Sequence, residues 1–192
     1  MKIGILALQG AYEAHARMIN RLGHEPLLVR YPEQLPGLAG LIIPGGESTA
    51  MVVIGERIGM SEALRERAKE GLPVFGTCAG MILLAEKVEG GPGMLSLGLL
   101  PIRVARNAFG RQTESFEADL RLSFDERPMR GVFIRAPRIR GLGDAEPIAW
   151  LGDEPVGVRK GSVMATSFHP ELTDDTRLHG FFLEIIKVKN RK

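Results

Sequence analysis

A single cysteine, Cys78, in 192 residues rules out an internal disulfide. Cysteine usage this sparse fits a reducing, cytoplasmic setting. No apolar run approaches the ~18 residues that crossing a bilayer as a helix requires. No leader is expected either, since Met1-Lys2 runs straight into Ile3-Gly4-Ile5-Leu6. A formal net charge of +2 gives no general affinity for nucleic acid. The phosphate-binding patterns Gly-x-x-x-x-Gly-Lys-Ser/Thr and Gly-x-Gly-x-x-Gly are both missing, which argues against nucleotide binding. Repeats, low-complexity tracts and linkers are absent too, so 192 residues predict one domain, large enough for a real core. The basic end, Lys187 to Lys192, reads as a solvated helix terminus favoured by the helix dipole.

What is present centres on that one cysteine. Cys78 sits inside Gly76-Thr77-Cys78-Ala79-Gly80. The apolar Leu72-Pro73-Val74-Phe75 precedes it and reads as a buried strand. Met81-Ile82-Leu83-Leu84-Ala85 follows and is rich in helix formers. Strand, Gly-x-Cys-x-Gly, helix is the layout of a nucleophile elbow. Glycines permit the sharp turn, and a helix N-terminus favours a thiolate. A free cysteine is also, and more commonly, an inert small hydrophobe of the core. The elbow alone does not decide between these readings.

Two further segments bear on the choice. Ser167-Phe168-His169-Pro170-Glu171 follows the apolar stretch 162–166. His169 is a candidate base for a thiol nucleophile. Residues two apart in an extended segment point the same way, so Glu171 is placed to orient the His169 ring. A solvated His-x-Glu loop is the plainer alternative. Leu41-Ile42-Ile43 reads as a buried strand, with Pro44-Gly45-Gly46-Glu47-Ser48 at its end. Adjacent glycines let backbone N–H groups face a ligand, as an oxyanion requires. Taken alone, the pair is an ordinary turn.

In order along the chain, the segments resemble the class I, or triad, glutamine amidotransferases. The resemblance narrows to the glutaminase subunits of two-protein pyridoxal 5′-phosphate synthases. It is carried by Leu8-Gln9-Gly10, residues 44–49 (Pro-Gly-Gly-Glu-Ser-Thr), 75–80, 107–112 (Asn-Ala-Phe-Gly-Arg-Gln), Ser115-Phe116-Glu117, 132–137 and 167–172. It runs from the first strand to the last helix, with no departure at a catalytic position. It implies a Cys78, His169 and Glu171 triad that hydrolyses L-glutamine through a cysteinyl thioester. It implies an oxyanion hole at the N–H groups of Gly46 and Ala79. Glutamine would be bound by Gly46, Glu47, Ser48, Arg106, Ile134 and Arg135. The partner implied is a ring-building synthase subunit that receives the ammonia; no cofactor and no metal are called for. Two other readings stay open: a Cys-His-Glu hydrolase of peptides or γ-glutamyl conjugates, and a non-catalytic docking subunit.

The expected fold is α/β. Strands at 2–8, 26–30 and 40–43 alternate with helices at 11–22 and 61–70, the latter with Ser61 as N-cap and Gly71 as stop. Such alternation argues for parallel strands covered by helices on both faces, with the site at their carboxyl ends. The second half reads as short strands at 99–106, 116–124, 131–135, 147–151, 156–160 and 163–168, then a helix from about 173 to 188. The result is a mixed, largely parallel central sheet in one domain, flavodoxin-like by the resemblance. Nine arginines against five acidic residues between Pro101 and Arg140 read mainly as a solvated, ion-paired surface.

Overall fold

The computed structural model describes residues 1–90, 96–106 and 115–191. The 107–112 motif lies outside the described residues. In chain order the elements are β1 (Lys2–Leu6), α1 (Tyr12–Arg21), β2 (Glu25–Val29), β3 (Gly40–Ile43), α2 (Ser48–Arg57), α3 (Met60–Lys69), β4 (Val74–Thr77) and α4 (Ala79–Leu84). There follow β5 (Ala85–Glu89), β6 (Leu100–Ala105), β7 (Ser115–Leu122), β8 (Met129–Ile134), β9 (Arg138–Gly141), β10 (Glu146–Leu151), β11 (Glu154–Lys160), β12 (Val163–Thr166) and α5 (Arg177–Asn190).

Nine strands form one sheet in the order β2-β1-β3-β4-β12-β11-β10-β7-β8. The first five pair in parallel and the rest are antiparallel. A small second sheet joins β5, β6 and β9. The parallel strands are apolar on both faces, as strands covered by helices on each side must be. Their side chains alternate between two cores. Ile3, Ile5, Ile42, Phe75 and Met164 enter one with Ile19 of α1 and with Leu178 and Phe182 of α5. Leu6, Leu41, Ile43, Val74 and Ala165 enter the other with Met51 of α2, Leu64 of α3 and Leu84 of α4. This period of two is what fixes the register, since a one-residue slip would exchange the two cores. Each fully buried Phe75, Phe133, Phe168 and Phe182 contributes about 1.5–3 kcal/mol of burial.

Several elements differ from the sequence reading, and β9 was given no element there. Residues 48–57 form α2, a stretch given no element from the sequence beyond Ser48; the Glu47 carboxylate caps it, accepting from the N–H groups of Thr49 and Ala50. Helix α3 begins at Met60 with Gly59 at the cap position, so Ser61 lies inside the first turn and is buried rather than capping. Strand β5 takes a helix-forming stretch because its backbone pairs with β6. The chain after His169 makes a 3-10 turn at Pro170–Leu172, and α5 starts only at Arg177. The arginines that the structure describes between 101 and 140 are largely ion-paired: Arg103 with Glu89, Arg127 with Asp125, Arg130 with Glu117 and Asp119, and Arg138 with Glu154 in a two-pronged bond.

Candidate active site

Cys78 stands one residue beyond β4, at the N-cap position of α4. Its backbone has φ 49° and ψ −102°, a sparsely populated conformation for a non-glycine residue. Such strain, about 1–3 kcal/mol, persists only where the surroundings over-determine it. Here the Cys78 N–H donates to the Thr166 carbonyl at 2.8 Å, continuing the β4–β12 ladder to the last possible residue. Behind the turn, a Cβ on Gly80 would lie 2.2 Å from the Ile43 carbonyl oxygen, so only glycine lets α4 approach β3. The strand, strained cysteine and helix form the expected elbow.

His169 follows β12, and its N–H donates to the Val132 carbonyl of β8 at 2.8 Å. Both Cys78 and His169 are only 7% exposed. The Cys78 Sγ lies 3.8 Å from the Ile134 carbonyl oxygen. The His169 Nδ1 is 2.7 Å from the Glu171 Oε1, and Glu171 is fully enclosed. Burial disfavours charge on His169, but hydrogen bonds to Cys78 and Glu171 outweigh it and raise the ring to about 10. Burial likewise opposes the Glu171 carboxylate, yet His15 and His169 hold it well below the usual carboxylate range. A neighbouring cation-acceptor pair of this kind is what a thiol nucleophile and its base require.

Gly45 packs directly on the histidine: a Cβ there would lie 2.2 Å from the His169 Cε1. The next peptide is fastened by Gln9, whose Oε1 accepts from the Glu47 N–H at 2.6 Å. The Ala11 N–H donates to the Gly45 carbonyl at 3.1 Å. The chain leaving β1 thus clamps the glycine loop from below.

Gln9, Gly46, Glu47, Ser48, Cys78, Ala79, Ile82, Arg106, Ile134, Arg135 and His169 line one cavity of about 260 Å³. All the residues singled out from the sequence border this cavity, save Glu171, which stands behind His169. Three larger hollows, of about 420, 460 and 300 Å³, are lined by no cysteine or histidine, so chemistry rather than size distinguishes the site. Arg106 reaches back to the loop, its Nη2 3.7 Å from Glu47 Oε1 and 3.5 Å from Thr49 Oγ1. Arg135 is exposed at the rim with φ 45°, a second strained position beside the site. Gln9 and Ile82 were given no role from sequence; the position of Gln9 after the first strand was the available signal. Among the described residues, no group of three or more metal-ligating side chains gathers here or elsewhere.

Behind Glu171 lie two buried histidines that sequence reasoning passed over. The His15 Nε2 of α1 is 3.5 Å from Glu171 Oε2 and 3.1 Å from Thr77 Oγ1. The His15 Nδ1 is 2.9 Å from the His179 Nε2 of α5. Burial, with the His15 ring beside it, pushes His179 down to about 3. Below its ordinary 6.5 the unfolded chain therefore takes up a proton that the folded chain refuses. The stability His179 contributes is whole above pH 6.5 and drains away as pH falls toward 3, at about 1.4 kcal/mol per pH unit. His179→Gln should flatten that fall. Urea midpoints of both proteins at pH 7, 6 and 5 test this, and parallel declines would refute it.

Fold and cavity together define a class. A solved structure described as a glutamine amidotransferase superposes with a TM-score of 0.92 at 51% identity, covering 96% of this chain and 98% of that one. The chain belongs to the SNO glutamine amidotransferase family, whose model matches residues 5–188. Its relatives carry a more particular name. Pyridoxal 5′-phosphate synthase subunit PdxT of Corynebacterium jeikeium is 52% identical over 190 residues, covering 97% of each chain. The protein of the same name from Thermotoga petrophila is 50% identical over 189 residues, covering 97% of this chain and 100% of that one.

Proposed function

We propose that the chain, acting as one domain in the cytoplasm, hydrolyses L-glutamine to L-glutamate and ammonia. The ammonia passes to a ring-building synthase subunit for pyridoxal 5′-phosphate synthesis. One observation carries the reading: the strained Cys78 and His169, the latter backed by Glu171, face one small cavity in a chain of this family. The relatives' printed name supports the choice of partner and product.

In this mechanism Cys78 attacks the carboxamide carbon of glutamine, its proton passing to His169. The oxyanion is held by the N–H groups of Gly46 and Ala79. Collapse of the tetrahedral intermediate breaks the C–N bond, and His169 gives its proton to the leaving ammonia. Water, deprotonated by the same ring, then releases glutamate from the thioester. Arg106 and Arg135 suit the substrate α-carboxylate, since a guanidinium fork matches a carboxylate. Glu47, Ser48 and Ile134 complete the wall around the rest of the amino acid. Ammonia is a nucleophile only while unprotonated, so transfer away from bulk water serves the next step.

The test is a glutaminase assay with and without the synthase. The isolated chain is expected to turn over slowly. Binding of the synthase should raise the rate at saturating glutamine by about tenfold or more, corresponding to ~1.4 kcal/mol of preference for the competent loop. The Gly45–Gly46 segment allows a peptide reorientation at low steric cost, and Gln9 holds one arrangement of it. Equal rates, with complex formation confirmed independently, would make an autonomous amidase the better description.

A further inference from the structure

The three residues of the proposed triad do not end at Glu171. Among the described residues its second carboxylate oxygen, Oε2, is buried without a hydrogen-bond partner, and the His15 Nε2 stands 3.5 Å from it. His15 is wholly buried on α1, as is His179 on α5, and the Phe75 ring lies steeply inclined to both, its centroid 6.4 and 5.7 Å from theirs. The two imidazoles are joined Nδ1 to Nε2 at 2.9 Å. Among the described residues the buried His179 Nδ1 has no partner.

These contacts assign the protons. A bare ring nitrogen left unpaired in the core is less costly than an unpaired N–H beside a bonded acceptor edge, so His179 carries its proton on Nε2 and donates to His15 Nδ1. His15 must then carry its own proton on Nε2. That N–H donates to Thr77 Oγ1 at 3.1 Å, with Glu171 Oε2 3.5 Å from the same nitrogen. Glu171 Oε1 in turn receives the Nδ1–H of His169. Every N–H in the row donates toward the carboxylate, and the far nitrogen of His169 is left for Cys78. His15 also grips Thr77, the residue before the nucleophile, so one ring spans the elbow and the base's orienter.

We propose that His15, itself aligned by His179, is a positioning residue of the glutaminase reaction, holding Glu171 so that His169 keeps the orientation that serves Cys78. The inference rests on the proposed glutaminase reading for its kinetic arm only. The titratable and charged groups around Glu171 are His169 and Cys78 on the cavity side, His15 of α1, and His179 of α5. On the outer side, Arg17, Arg21 and Asp174 border the same hollow as Glu171.

Two near-isosteric variants separate positioning from packing. The amide nitrogen of His15→Gln reaches the Nε2 place and keeps a donor for Glu171. That of His15→Asn reaches only the Nδ1 place and abandons Glu171. In complex with the synthase, His15→Gln should keep kcat within about threefold of wild type. His15→Asn should lower kcat about 10- to 100-fold with KM within about twofold, and displace the pH profile. Alkylation of Cys78 by iodoacetamide, followed against pH, should show the same split without any glutamine. Equal behaviour of the two variants, whether both normal or both impaired with an unmoved profile, overturns the proposal. Histidine ¹⁵N NMR of the wild-type chain decides even if neither variant folds: a proton on Nε2 of His15 is expected, and one on Nδ1 overturns it. Wild-type complex that alkylates as described but leaves glutamine intact would sink the glutaminase reading and leave this one standing.

Discussion

Cys78→Ala is expected to abolish glutamine hydrolysis, a loss of about 10⁴- to 10⁶-fold in kcat, while the fold survives. The variant removes one sulfur atom from a site that is already enclosed, and alanine retains the Cβ. Strain at φ 49° belongs to the backbone and stays with the new residue, so folding stability should change by only about 1 kcal/mol. What disappears is the atom that bonds to the substrate carbon. Enclosing walls and N–H groups alone give no covalent route. The measurement is ammonia release by the purified variant in complex with the synthase, beside a thermal melt. Turnover persisting above a contaminant control would falsify the nucleophile assignment.

His169→Ala should fall nearly as far, because nucleophile and base act as a unit and their losses do not add. Removing the ring also leaves Glu171 as a buried carboxylate without its closest partner, 2.7 Å away. That change should cost stability as well, about 3 kcal/mol, through the uncompensated charge. Glu171→Gln is milder on folding and intermediate in rate, since an amide oxygen still accepts the Nδ1–H but stabilises imidazolium poorly. The order expected in kcat is therefore wild type, Glu171→Gln, then His169→Ala level with Cys78→Ala. Near-normal turnover by His169→Ala would end the base assignment, and so would a Glu171→Gln variant slower than His169→Ala.

The parts of this site that the sequence displays are those whose chemistry is local. Gly76 to Gly80 spells out a turn, and His169 to Glu171 spells out a ring and its acceptor two residues on. The parallel strands were equally open to reading, because burial on both faces leaves runs such as Leu41-Ile42-Ile43. Helix α2 was hidden by its own cap: Pro44-Gly45-Gly46 signals a loop, and nothing nearby announces that Glu47 will turn back on Thr49 and Ala50. Strand β5 was hidden because Ala85-Glu86-Lys87 favours a helix and only pairing with β6 overrides it. Ser61 misled for a related reason. It is a good capping residue, but Gly59 with φ 73° ends one helix and opens the next, which draws Ser61 into the core. His15 and His179 stand 164 residues apart. No spacing rule joins them, because their meeting depends on α1 and α5 covering the same face of the sheet.

The sheet order has a bearing on when this chain becomes dangerous to its host. β8 is ninth in the sheet, yet its Val132 carbonyl takes the His169 N–H and its end supplies Ile134 and Arg135 to the cavity. The far margin has curled back to meet the middle. Walls come from residue 9, residues 46–48, 78, 79, 82, 106, 134–135 and 169, spanning most of the chain. Contacts between such distant residues are made late, once loop-closure entropy has been overcome. On the ribosome Cys78 emerges 91 residues ahead of His169 (169 − 78). On the proposed assignment, a nascent chain that has not yet reached His169 holds the nucleophile without its base, and should be unable to squander glutamine.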